Sequence, residues 1–299
     1  VYRYKVLMKI IILGSVLFTK KVVDFLIKKN IAIDGVIGKK NSTFNSDFID
    51  LVRLYKNKFD TFYTQNINDK RTYKWLKNKR PDLIICLGWS HIIEPKVLKI
   101  PKYGIIGYHP SDLPRNKGRH PIIWPLVLGL KETASTFFLM NSEIDSGEII
   151  SKKKVQIRSK DFAFDLYKKL YQTASKQLLS LIKDFQKGKI KKLKKSNVKE
   201  NYWKKRSFKD GMIDWRMDAE SIFNLTRALG KPYGGAHFYF NNKMIKVWRT
   251  KIIHSKFDNI EPGKIIKLAN LKPVIKCGKN SLKLINFSPK IRFKKDNYL

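Results

Sequence analysis

Short, wholly apolar runs alternate with longer stretches of helical spacing through the first hundred residues, and that alternation leaves few folds open. Residues 8–14, MKIIILG, form an apolar run stopped by Gly14-Ser15 and lead into a helix expected over 18–29. A second strand is expected over 31–37, then a helix over 44–57 whose Phe48, Ile49, Leu51, Val52 and Leu54 crowd one side. A helix over 69–79, the pair Pro81-Asp82 and a strand over 83–87 follow. Strands this apolar are buried on both faces, as in a parallel sheet covered by helices. The expected architecture is therefore α/β, a mostly parallel sheet with helices on both faces. No G-x-G-x-x-G follows the first strand, so no dinucleotide site is read there.

Ligands of such sheets bind outside the carboxyl ends of the strands, which selects residues 88–93. The next strand-like run ends at His109, and its loop is marked by Pro110, Pro114 and Gly118. A helical segment, another strand and a loop carrying Asp145 come next. A His just past an apolar strand can act as acid, base or electrostatic partner, and a carboxylate beside it can set its protonation state. Taken singly, His109 also reads as a loop cap and Asp145 as the maker of the turn Asp145-Ser146-Gly147. Arg115, Lys117, Arg119 and His120 make the first loop basic, which suits either an anionic ligand or a solvated surface.

The wider pattern is more specific. The ordered set His109-Pro110-Ser111-x-Leu113-Pro114, Lys117-Gly118-Arg119-x-Pro121-Ile122, Trp124, Gly129, Thr133 and Ile144-Asp145-Ser146-Gly147-Glu148-Ile149-Ile150 resembles the folate-dependent formyltransferase family. Asp210-Gly211-Met212-Ile213-Asp214-Trp215, then Thr226-Arg227-Ala228-Leu229 and Pro232-Tyr233-x-Gly235-Ala236, resemble the opening of that family's carboxyl-terminal domain. The resemblance runs from about Met8 to Phe287.

It implies a Rossmann-type catalytic domain over 8–188, a basic linker over 189–206 and a small open β-barrel of OB-like type over 207–299. It also implies transfer of a formyl group from 10-formyltetrahydrofolate to a primary amine, carried by methionyl-tRNA or by a nucleotide-linked amino sugar. Hydrolysis of the donor, or a non-catalytic RNA-binding or folate-sensing role, are the alternatives. The family's trio is Asn, His and Asp; His109 and Asp145 match it, and Gly107 stands at the Asn position. By the same resemblance, Gly88, Trp89, Ser90, His91, Ile92 and Asp145 would hold the folate, and Ser111, Arg115, Lys117 and Arg119 the acceptor. No metal is implied.

Composition bounds the rest. At 299 residues the chain suits two domains, and its net charge of +39 favours phosphate-bearing partners, although the lysines are spread widely. Residues 189–206, KIKKLKKSNVKENYWKKR, interleave Tyr202 and Trp203 with lysines, as a nucleic-acid contact or an ordinary linker would. A long amphipathic helix is expected over 161–186, with Phe162, Leu166, Leu170, Leu178, Leu181 and Ile182 on one face. Cys86 and Cys277 lack disulfide or metal-ligand spacing. No apolar stretch is long enough to span a membrane, and a cytoplasmic enzyme is the expectation. Val1 to Leu7 read as an extension before a start at Met8, and the basic tail over 290–299 has no counterpart in the family pattern.

Overall fold

The computed structural model describes residues 8–43, 45–194, 198–254 and 259–299. The expected extension over Val1–Leu7, residue Phe44 and part of the basic connector, 195–197, lie outside the described residues. In chain order come β1 (Ile10–Leu13), α1 (Leu17–Lys28), β2 (Gly35–Gly38), α2 (Leu51–Tyr55), β3 (Asp60–Tyr63), α3 (Lys70–Lys79), β4 (Leu83–Cys86) and α4 (Pro95–Leu98). Then follow β5 (Ile105–His109), β6 (Lys117–Gly118), α5 (Ile123–Val127), β7 (Glu132–Leu139), β8 (Glu148–Gln156), α6 (Ala163–Gln186), β9 (Tyr202–Trp203) and α7 (Ala219–Ala228). The last strands are β10 (Ala236–Phe240), β11 (Lys243–Ile253), β12 (Ile265–Ala269), β13 (Lys272–Lys276) and β14 (Ser281–Ser288).

Two compact units emerge. The first comprises Val1–Gly118, Thr133–Val155 and Lys168–Tyr202; the second comprises Arg119–Glu132, Gln156–Tyr167 and Trp203–Leu299.

The first unit is built on a seven-stranded sheet in the order β3-β2-β1-β4-β5-β7-β8. The neighbours from β3 to β5 run parallel, and β7 turns antiparallel against β5. Every residue of β1, β2 and β4 is buried, as their apolar runs require. The chain steps outward from β1 to β2 and β3, then returns to place β4 on the other side of β1. That reversal is a topological switch point, where ligands of open α/β sheets bind. Packing there is close: a Cβ on Gly14 would lie 2.4 Å from the Leu87 carbonyl oxygen, and one on Gly38 would lie 3.1 Å from that of Gly14. The apolar layer beneath includes Ile11, Leu13, Ile37, Leu76, Ile84, Cys86 and Ile105, and each of its leucines and isoleucines contributes roughly 1.5–3 kcal/mol as a fully buried large side chain.

Two local expectations are corrected. The helix expected over 44–57 is only Leu51–Tyr55, because the Asp50 carboxylate accepts the Arg53 N–H at 2.9 Å and starts the helix there. Upstream, Phe48 instead bridges to Val16 in extended conformation. The edge strand β3 was not anticipated: its sequence, DTFY, carries no apolar run, and the strand is half exposed. Helix α3 starts at the expected place, since the Asp69 carboxylate accepts the Thr72 N–H at 2.6 Å.

The second unit holds a five-stranded antiparallel sheet in the order β10-β11-β14-β13-β12, with β10 and β12 at its edges. Helix α7 and Trp215 cover one face, joining Ile222, Leu225, Phe238, Val247, Ile275 and Leu282 in one core. This is the small β domain expected after the connector. Among the described residues no helix is long and apolar enough to cross a membrane, and no cluster of three His, Cys, Asp or Glu side chains is placed to hold a metal.

Candidate active site

Strand β5 carries Ile105 and Ile106 into the core and delivers His109, 6% exposed, to its carboxyl end. There the imidazole lies between two acceptors. Its Nδ1 is 3.5 Å from Asp145 Oδ1, and its Nε2 is 3.1 Å from the Asn116 carbonyl oxygen. A carbonyl can only accept, so Nε2 carries hydrogen. Burial disfavours the imidazolium and holds the His109 pKa below its ordinary value, although Asp145 and the Asn116 carbonyl both pull upward. Asp145 sits at φ +50° in the loop between β7 and β8, and its Oδ2 accepts the Gly118 N–H at 3.1 Å. One carboxylate therefore ties the loop after β5 to the loop after β7 and faces the histidine.

Gly107, two residues before His109, pairs across the sheet with Phe138. A Cβ there would lie 2.7 Å from Phe138 Cζ and 2.8 Å from Met140 Cγ. The position that holds Asn in the family pattern is thus crowded by Phe138 and Met140, which would have to shift to admit a side chain.

The segment expected to hold folate follows β4. Gly88 turns the chain at φ +69°, where a Cβ would meet Val16 Cγ2 at 2.3 Å. Trp89 and Ser90 are half-buried, His91 is exposed and Ile92 is 56% exposed. Asn68 staples the segment, donating from Nδ2 to the Ile92 carbonyl and accepting the Glu94 N–H, both at 2.9 Å. The sequence reading missed Asn68; its only signal was a polar residue just before the Asp69 cap. It missed Lys39 as well. That side chain follows β2, is 8% exposed, and places Nζ 3.3 Å from His91 Nδ1 and 4.9 Å from the centre of the Trp89 ring. Burial lowers the Lys39 pKa. The segment lies at the switch point, where ligands of such sheets bind, and the Trp89 indole N–H is buried without a protein acceptor.

The residues assigned to the acceptor divide. Ser111 is fully buried; its Oγ donates to the Arg115 carbonyl and its own carbonyl accepts from Thr136 Oγ1. Lys117 is 2% exposed, paired with Glu200 Oε2 at 2.7 Å and donating to Ser146 Oγ at 3.0 Å. Contrary to the sequence expectation, these two shape the loop and present no surface to a ligand. Arg115 and Arg119 are exposed. Arg119 opens a segment of the second unit, where its N–H donates to the Trp203 carbonyl at 3.0 Å. Nearby, Arg206 covers the Trp124 ring at 4.8 Å, and Trp124 Nε1 donates to the Lys204 carbonyl at 3.0 Å.

Comparison with known proteins decides the family. Residues 8–182 match formyl transferase, and residues 206–294 match the formyl transferase C-terminal domain. The chain belongs to the formyltransferase family. It is 36% identical over 231 residues to the bifunctional polymyxin resistance protein ArnA of Wigglesworthia glossinidia brevipalpis, covering 77% of this chain and 35% of that protein. It is 31% identical over 218 residues to the methionyl-tRNA formyltransferase of Caldanaerobacter subterraneus subsp. tengcongensis, covering 73% and 70% of the two chains. Among solved structures, the N-formyltransferase of Helicobacter canadensis in complex with folinic acid and dTDP-3-aminofucose superposes with a TM-score of 0.70 at 18% identity, over 93% of this chain and 98% of that one.

Proposed function

We propose that this formyltransferase moves a formyl group from 10-formyltetrahydrofolate to the primary amine of an anionic acceptor, with His109 and Asp145 managing the proton. The observation that carries the reading is the buried imidazole held between the Asp145 carboxylate and the Asn116 carbonyl at the end of β5. The donor supplies the formyl carbon. A neutral amine adds to it, the pair of His109 and Asp145 takes the proton the amine sheds, and that proton returns to N10 as the C–N10 bond breaks. His109 Nε2–H is the hydrogen-bond donor from which a developing oxyanion would accept, so acceptor arrival has to displace the Asn116 carbonyl. The donor lies along residues 88–92, held by Gly88, Trp89, Ser90, His91 and Ile92, with the catalytic portion over 8–188 and the β domain over 207–299.

The acceptor is methionyl-tRNA or a nucleotide-linked amino sugar. Exposed Arg115 and Arg119 and the basic connector support a phosphate-bearing molecule of either kind. One observation favours a second reading, hydrolysis of the donor: Phe138 and Met140 fill the space of the family's Asn beside His109. Tetrahydrofolate release is the test, measured with methionyl-tRNA, with a panel of nucleotide-linked amino sugars and with no acceptor. Amine-dependent release supports transfer, acceptor-independent formate supports hydrolysis, and no release under any condition would sink both.

A further inference from the structure

We propose that Lys39, Trp89 and His91 form an anion subsite that takes a carboxylate or phosphate at the switch point of the sheet. Three strand ends build it. Lys39 follows β2 and is fixed by its own N–H, which donates to Ser15 Oγ at 2.6 Å just past β1. Trp89 and His91 come from the segment after β4. The side chain of Lys39 is more than nine-tenths buried, and among the described residues its ammonium has no carboxylate partner: its contacts are His91 Nδ1 and the face of Trp89. An ammonium has three donors and no acceptor, so a single ring nitrogen leaves hydrogens for a further partner. A buried cation is expensive unless paired, and neither a ring nitrogen nor a ring face brings the negative charge that would neutralise it. The Trp89 Nε1–H is buried without an acceptor. An ammonium with hydrogens to spare and an indole N–H without an acceptor, at the ligand-binding end of a parallel sheet, ask for an anionic oxygen.

Two molecules can bring such an oxygen: the glutamyl carboxylates of the folate donor or the phosphates of the acceptor. Which of them does so rests on the formyl-transfer reading; the site itself does not.

The test uses the full chain and its Lys39→Met variant, with Lys39→Arg as the charge-retaining control. Melting is recorded in chloride and in inorganic phosphate at matched ionic strength. The proposal expects phosphate to raise the melting temperature of the wild type and of Lys39→Arg but not of Lys39→Met; equal rises in Lys39→Met and wild type overturn it. Affinities are then measured for 5-formyltetrahydrofolate, for the same compound without its glutamate, and for a nucleoside diphosphate. A charge-assisted contact corresponds to roughly ten- to a hundredfold in affinity. Such a loss on removing glutamate, seen in wild type and not in Lys39→Met, assigns the site to the donor. A loss of that size for the diphosphate in Lys39→Met assigns it to the acceptor. Identical affinities of the two proteins for all three ligands overturn the proposal. A wild type that binds no folate yet keeps its Lys39-dependent response to phosphate keeps the subsite and removes the formyl-transfer reading.

Discussion

Replacing Gly107 with Asn restores the residue type of the family pattern, and the structure says that it will harm the protein. The new Cβ alone would approach Phe138 Cζ to 2.7 Å and Met140 Cγ to 2.8 Å, closer than non-bonded carbons pack. Phe138 is 3% exposed, so its ring cannot swing into solvent. Overpacking of this kind costs about 1–3 kcal/mol. An amide buried beside them without a hydrogen-bond partner would add about 1–3 kcal/mol. At roughly 2–4 °C per kcal/mol, as for domains of about 150–250 residues, Gly107→Asn should melt roughly 4–24 °C below wild type. Turnover, followed as tetrahydrofolate release, should fall with it, because β5 also carries His109. Adding Phe138→Leu removes the nearest contact and should recover part of the melting temperature. A single variant that melts within about 2 °C of wild type, or that turns over faster, would refute the account of a filled site.

Other perturbations follow from the same geometry. His109→Ala and Asp145→Ala should each lower turnover about 10²- to 10⁴-fold with circular dichroism unchanged, and wild-type turnover in either would dismiss the pair. Gly88→Ala forces a side chain onto Val16 at φ +69° and should weaken folate binding at least about tenfold while nucleotide binding holds; calorimetry with each ligand separates the two. Acid should destabilise the fold through its histidines. Burial holds His109, His120 and His237 below the ordinary 6.5, so below that pH the unfolded chain binds protons that the folded one refuses. Their contribution is complete above about 6.5 and declines as pH falls toward the folded values; His109→Gln should flatten the decline in denaturant melts, and an unchanged slope would refute it.

What was legible in the sequence was whatever a short window decides. β1, α1 and β4 announce themselves as apolar runs and an amphipathic stretch, and Asp69 caps α3 within three residues. His109 and Asp145 were found by their motif, and the structure brings them to 3.5 Å. What escaped depends on distant partners. Lys117 looks like any loop lysine until Glu200, 83 residues away, neutralises it in a buried place. Lys39 and His91 are 52 residues apart, and nothing local marks either. The sequence shows that position 107 lacks Asn, while only the sheet register shows that Phe138 and Met140 took the room.

The interleaving of the two compact units bears on modular engineering. The second unit gathers Arg119–Glu132 and Gln156–Tyr167 with Trp203–Leu299, so it is assembled from three pieces of chain. A chimera that exchanges everything after the connector for the corresponding part of another relative transplants only one of those pieces. The two short segments would stay behind, separated from the rest of their unit. A chimera meant to carry the second unit whole therefore has to move all three pieces together.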